Sequence, residues 1–211
     1  MLLLAAVVLA TVISAAPARA QSGATPLDAY LSGLKTLRVA FQQSLTDSRG
    51  RVVQKAAGTL LVVRPGRFRW ELTPVAAGGP QLMIADGKNV WFYDRDLEQV
   101  SVKAAESALT ATPATLLSST GDLRKVFSVS GSGRRDGFDW VLVKPLRADA
   151  DFREARLAFA KGELKRMVLK DKLGQTATLT FERGTRNAAV SDGEVSFTPP
   201  PGADVIGKPV Q

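Results

Sequence analysis

The sequence contains no cysteine and no histidine. Without cysteine an exported chain folds with no disulfide, and no N-terminal cysteine is available for lipid attachment, so the mature chain is expected to be soluble. Without histidine there is no Ser-His-Asp or Cys-His catalytic pair and no imidazole metal site. No metal or cofactor is expected. A continuous block of Lys and Arg is also lacking. The formal net charge of +8 is interspersed with acids, as in Arg67, Arg69, Glu71 and Asp94, Arg95, Asp96, Glu98. That pattern reads as a solvated basic surface, or a docking face for an acidic partner or an anionic lipid surface, and not as a nucleic-acid site. Aromatic residues make up only 7%, but they gather in Phe68-Arg69-Trp70 and Trp91-Phe92-Tyr93 between turn residues.

The 211 residues suit one domain with a sizeable core. Leu2 to Ala18 carries no charge, and Ala18-Arg19-Ala20 offers small residues at the positions a signal peptidase reads. Residues 1–20 are therefore expected to be a signal peptide cleaved before Gln21, leaving a single domain over 21–211. The leader lacks the usual Lys or Arg after Met1, and an uncleaved anchor is the alternative.

Thr25-Pro26 opens a helix, with Thr25 as cap, Pro26 at the first helical position and Leu27, Tyr30, Leu31 and Leu34 on one face. From Leu37 the period changes to two, predicting a strand to Leu45, a turn at 47–50 and a second strand over Val52–Val63 with Gly58 as a bulge. Phe68, Trp70 and Leu72 then alternate with Arg67, Arg69 and Glu71, giving one apolar and one charged face. Leu82–Ala85, Val90–Tyr93 and Glu98–Val102 continue an antiparallel meander. Residues 103–120 read as one or two short helices, with a second cap-then-proline start at Thr112-Pro113 and an apolar pair at Leu116-Leu117. Strands resume over Val126–Ser130, Phe138–Lys144, Glu154–Ala160, Leu164–Lys170 and Thr176–Arg183. Val195-Ser196-Phe197 reads as a last strand, and 203–211 as a loose end. The fold class is mainly β, about ten or eleven strands in a sheet long enough to curl.

Arg64-Pro65, Phe68-x-Trp70, Asp86-Gly87-Lys88-x-x-Trp91-x-Tyr93, Glu98-Gln99-Val100, Thr112-Pro113-x-x-Leu116-Leu117 and Phe197-Thr198-Pro199-Pro200 follow one another in this order. In that order and spacing the chain resembles the periplasmic carriers of outer-membrane lipoproteins, the LolA-like family, over roughly residues 27–205. The resemblance implies an incomplete antiparallel β-barrel whose short helices form a lid over an apolar cavity. It implies a monomeric periplasmic chaperone, not an enzyme. Such a protein takes acylated lipoproteins from an inner-membrane ABC transporter and passes them to an outer-membrane receptor. On this basis Leu60, Val62, Phe68, Trp70, Leu82, Ile84, Val90 and Phe92 are expected to wall the acyl-chain cavity, while Trp91 and Tyr93 point the other way. Leu34, Pro113, Leu116 and Leu117 belong to the lid. Arg64 is the expected latch, donating to main-chain carbonyls of the lid helices.

Burying an acyl chain contributes about 0.8 kcal/mol per CH₂, so some fifteen methylenes gain roughly 12 kcal/mol. Several chains together exceed the practical ceiling of about 18–21 kcal/mol for non-covalent binding. A carrier that kept all of this would never release its cargo, so a competing closed state held by a breakable contact is required. Two other readings stand beside this one. A same-fold lipid-binding or lipoprotein-sensing protein would carry free lipids instead. An enzyme would draw on Asp94 and Asp96, two carboxylates in one turn without a third acidic ligand in register.

Overall fold

The computed structural model describes residues 23–76, 78–106, 113–119, 123–148, 150 and 152–211. The expected leader and Thr112 lie outside them. The elements are α1 (Pro26–Leu31), β1 (Thr36–Thr46), β2 (Val52–Val63), β3 (Arg67–Pro74), β4 (Gln81–Asp86), β5 (Asn89–Asp94) and β6 (Gln99–Ala104). They continue with α2 (Pro113–Ser118), a 3₁₀ turn at Leu123–Lys125, β7 (Phe127–Arg135), β8 (Phe138–Pro145), β9 (Phe152–Ala160), β10 (Glu163–Asp171) and β11 (Thr176–Phe181). The two-residue β12 (Thr185–Arg186) and three-residue β13 (Asp204–Ile206) end the chain.

Among the described residues the strands make one sheet in the order β13-β6-β5-β4-β3-β2-β1-β11-β10-β9-β8-β7, with β12 beside β1. Short turns produce two antiparallel meanders, β1 to β6 and β7 to β11. They join where Phe41 of β1 sits opposite Phe181 of β11. β7 and β13 are the two ends of this order, so the sheet is an open, incomplete barrel. The expected ten or eleven strands correspond to β1–β11, to which β12 and β13 are short additions.

α1 starts and stops where its residues dictate. Thr25 Oγ1 accepts from Asp28 N at 3.3 Å, and Asp28 Oδ2 accepts from Thr25 N at 2.6 Å, a reciprocal capping box with Pro26 at the first helical position. Gly33, at φ 67°, takes the left-handed conformation that ends the turn. Leu27, Tyr30, Leu31 and Leu34 then pack on the inner face of the sheet. Ala114, Leu116 and Leu117 from α2 join the same buried cluster. Full burial of a leucine or phenylalanine stabilises by about 1.5–3 kcal/mol, so this cluster is the main source of stability.

The structure corrects three local expectations. Gly58 is not a bulge: it pairs regularly with Phe41 and Leu72, and the irregularity lies at Leu45/Thr46. Val195-Ser196-Phe197 is not a strand, because Asp192–Val195 forms a 3₁₀ turn whose Ser191 and Glu194 make their own capping box. Finally, part of 203–211 is a strand, β13, running parallel to β6. The C-terminal segment thus crosses the outer face. Val195 packs with Leu61 and Val63, and Phe197 lies 5.6 Å from the Trp91 ring and 6.0 Å from Tyr93.

Candidate functional site

The candidate site is the inner face of the sheet where α1 and α2 cover it. β2 supplies Leu60 and Val62, which pair with Trp70 and Phe68 of β3. All four are buried in the central cluster. Phe41 stacks on Trp70 with ring centroids 4.2 Å apart. β4 and β5 extend this wall through Ala85 and Met83, which face Val90 and Phe92. Val90 is partly buried against the cluster and Phe92 is half-buried. Leu82 and Ile84 do not join the wall. The β3–β4 register places Ile84 opposite Arg69 and Leu82 opposite Glu71, so both fall on the outer face with Trp91 and Tyr93. Within Leu82-Met83-Ile84-Ala85 both faces are apolar, so no alternation marks which set turns inward.

On the lid side Leu34, Leu116 and Leu117 are buried, and Pro113 opens α2. A hollow of about 320 Å³ remains between α2 and the strands, bordered by Phe68, Ala85, Val90, Thr115 and Ser118. That volume lies at the lower end of the range for small-molecule pockets.

Arg64 follows β2 directly. Its Nη1 donates to the Leu31 carbonyl of α1 at 2.9 Å, and its Nη2 donates to the Ser119 carbonyl just past α2 at 3.1 Å. Carbonyls at the C-terminal end of a helix have no partner within the helix, and a guanidinium offers five donors in one plane. One side chain therefore bridges both lid helices. Next door, Gly66 N donates to the Ser118 carbonyl at 2.8 Å, fastening α2 to the same turn.

A second arginine holds α1 from the other flank. Arg186 of β12 donates through Nη2 to the Tyr30 carbonyl at 2.8 Å, and its guanidinium lies 4.6 Å from the centre of the Tyr30 ring. Adjacent Asn187 accepts from Lys35 N at 2.8 Å and donates to the Gly33 carbonyl at 3.0 Å, fixing the link between α1 and β1. No period or motif in the sequence draws attention to Arg186. The only local hint is a polar segment directly after the last long strand.

Arg124, from the 3₁₀ turn, completes the hold on α1 by donating to both Asp28 oxygens at 2.7 and 2.8 Å. This hydrogen bonding, the largest influence on the group, holds the Asp28 carboxyl well below the usual carboxylate range, with Thr25 adding to it against the opposing effect of burial. Burial pushes the Tyr30 phenol up to about 12, so it stays protonated.

The acidic turn considered above is occupied with structure. Asp94 Oδ1 accepts from Asp96 N and Leu97 N, and Asp96 Oδ2 accepts from Gly79 N. Asp86 serves its turn likewise. Burial raises its pKa, but donation from the Trp91 indole and from the Asn89 and Lys88 amides outweighs this and lowers it. Among the described residues no group of three or more His, Cys, Asp or Glu is placed to hold a metal ion.

Fold and site together define a lidded open β-barrel with an apolar inner wall. The chain belongs to the outer membrane lipoprotein carrier protein family, LolA, whose model matches residues 32–198. It is 38% identical to the outer-membrane lipoprotein carrier protein of Dechloromonas aromatica, covering 94% of this chain and 95% of that one. With the protein of the same name from Chromobacterium violaceum the identity is 37%, over 91% and 90% of the two chains. Among solved structures, a LolA superfamily protein from Nitrosomonas europaea matches with a TM-score of 0.50 at 12% identity, covering 84% of this chain and 97% of that one. An uncharacterized conserved protein from Thermus thermophilus matches with a TM-score of 0.56 at 14% identity, covering 86% and 96%. These two show the fold alone. The family is one of carriers and not of enzymes.

Proposed function

We propose that this protein is a periplasmic chaperone for outer-membrane lipoproteins. It accepts them from an inner-membrane ABC transporter, shelters their acyl chains against the inner wall beneath α1 and α2, and gives them up to an acceptor at the outer membrane. It works as a monomer. The observation that carries the reading is the Arg64 bridge between the two lid helices over an apolar wall. In the closed form Leu116 and Leu117 occupy that wall. Acyl chains that enter displace them and break the bridge, and re-forming it helps expel the cargo. Two hydrogen bonds from a charged donor are together worth about 3 kcal/mol, a large shift in a closed–open equilibrium but well below the gain from one buried chain. Release therefore also needs an acceptor that competes for the chains.

The test mixes the purified protein with inner-membrane vesicles that hold lipoprotein and the transporter, and adds ATP. A soluble protein–lipoprotein complex is expected. Arg64→Leu is expected to collect lipoprotein normally and to deliver it about a hundredfold more slowly, the scale that a loss of about 3 kcal/mol implies. Absence of the ATP-dependent complex, or full-speed delivery by the variant, would count against the reading. Co-purified phospholipid in place of lipoprotein would move it to a free-lipid carrier.

A further inference from the structure

The two lid helices are held in different ways. α1 packs against β8 and β9, where the Tyr30 ring lies 5.6 Å from that of Phe159, whereas α2 packs against β2 and β3. Bonds reach α1 at both ends. Arg124 grips Asp28 in its first turn, while Arg186 and Arg64 take the Tyr30 and Leu31 carbonyls of its last turn. Asn187 then fixes the exit by bonding Lys35 N and the Gly33 carbonyl. Arg186 and Asn187 are themselves built into the sheet. Arg186 pairs with Leu37 of β1, and Asn187 N donates to the Thr36 carbonyl at 2.8 Å. Among the described residues, the bonds from the sheet to α2 come from a single turn, Arg64 to the Ser119 carbonyl and Gly66 N to the Ser118 carbonyl.

Losing the Arg64 bridge therefore weakens the two helices unequally. α1 keeps ties at both ends, from segments that do not involve Arg64. α2 keeps one backbone bond and the burial of Ala114, Leu116 and Leu117. An acyl chain can replace that burial, because methylenes pack against the wall as leucines do. It cannot replace what holds α1, since it offers no donor to the Tyr30 carbonyl and no partner to Asp28. The element held by more ties that must break together is the one that stays. The free space agrees. The hollow of about 320 Å³ is lined by Thr115, Ser118 and Ser119 above Phe68, Ala85 and Val90, and by no residue of α1.

We infer that the lid opens on one side only. α2 lifts off β2 and β3, while Arg186, backed by Asn187, is a positioning residue that keeps α1 seated on β8 and β9. The wall of Leu60, Val62, Phe68 and Trp70 is then the part uncovered, and the α2 side is the way in for an acyl chain. The inference deepens the carrier reading and takes the purpose of the lid from it.

The chain has no cysteine, so one introduced thiol reports opening beneath each helix. Leu27→Cys in α1 and Leu116→Cys in α2 place it at positions only 0% and 1% exposed. Its reaction with a small water-soluble maleimide is timed on the purified, cargo-free full chain, with and without Arg64→Leu or Arg186→Leu. With Arg64→Leu the thiol at position 116 is expected to react at least about tenfold faster, and that at position 27 to stay within about twofold. Arg186→Leu is expected to give the reverse. If Arg186 served stability alone, its loss would speed both thiols alike. Because Leu→Cys cuts into the core, hydrogen exchange over residues 26–34 and 113–119 is followed in parallel in Arg64→Leu and Arg186→Leu without any cysteine, and the same split is expected. Both helices loosening together in either variant, or α2 failing to loosen in Arg64→Leu, would overturn the proposal. These measurements use no lipoprotein, transporter or ATP, so their failure is distinct from a failure of the carrier reading.

Discussion

Gly58 lies on the inner wall between Phe41 of β1 and Leu72 of β3. A methyl group there would collide with the Glu71 carbonyl oxygen and with the Phe41 ring, which is itself stacked on Trp70. Gly58→Ala is expected to destabilise by about 2 kcal/mol, the usual scale for overpacking a filled core. A urea-denaturation midpoint equal to that of wild type would show that the ring can shift without penalty. Single residues also show how unevenly the site could be read from sequence. The bond from Arg64 to the lid carbonyls was foreseen only through the resemblance that the ordered motifs carry, since by itself Arg64 reads as a solvated residue at a strand end. Arg186 was not foreseen, because its partner Tyr30 is 156 positions away and pairing over that distance leaves no local trace. Leu82 and Ile84 were placed on the wrong face because their strand is apolar on both sides. A one-residue choice of register then decides everything.

Among the elements, the start of α1 was legible from its cap and proline, but its end was not, because Leu34, read on the same helical face, lies beyond Leu31 where the helix stops. What the sequence hid is how firmly it is anchored: Arg64, Arg186 and Arg124 reach it from three different segments. The Arg124–Asp28 pair makes this anchoring depend on pH. The Asp28 carboxyl is lowered in the folded chain, so its contribution is complete above its unfolded pKa near 4 and is lost as pH falls toward the folded value. Asp28→Asn is expected to be about 1–2 kcal/mol less stable than wild type at neutral pH, reflecting the weakened cap and ion pair. The gap should narrow steadily below about pH 4. Thermal unfolding of both proteins from pH 7 down to pH 2.5 measures it, and a gap independent of pH would remove Asp28 from the anchor. The misread segment Val195–Phe197 has a related cause. Its apolar residues do face protein, but as single knobs on the outer sheet rather than as a paired strand.

For the whole molecule, the meander order followed from the short turns, but the closure of the sheet did not. The C-terminal segment shows this at one edge. β13 covers the outer side of β6, and the buried Asn89 amide clasps Val210, donating to its carbonyl at 3.0 Å and accepting from its amide at 2.7 Å. Removing residues 204–211 would leave the β6 edge unpaired and the Asn89 side chain without these partners. The truncated chain is expected to self-associate, read as a rise in mass by light scattering after size exclusion. A truncated chain that stays at the wild-type mass would show that this edge needs no cover.

The join between the two meanders has a temporal consequence. Thr46 pairs with Thr176, 130 positions later, so the centre of the sheet is stitched from segments that leave a ribosome or an export channel far apart in time. Until β11 emerges, the first meander has a bare flank along β1 and an unroofed greasy surface. The nascent chain is thus itself a client in need of shelter before it can offer any.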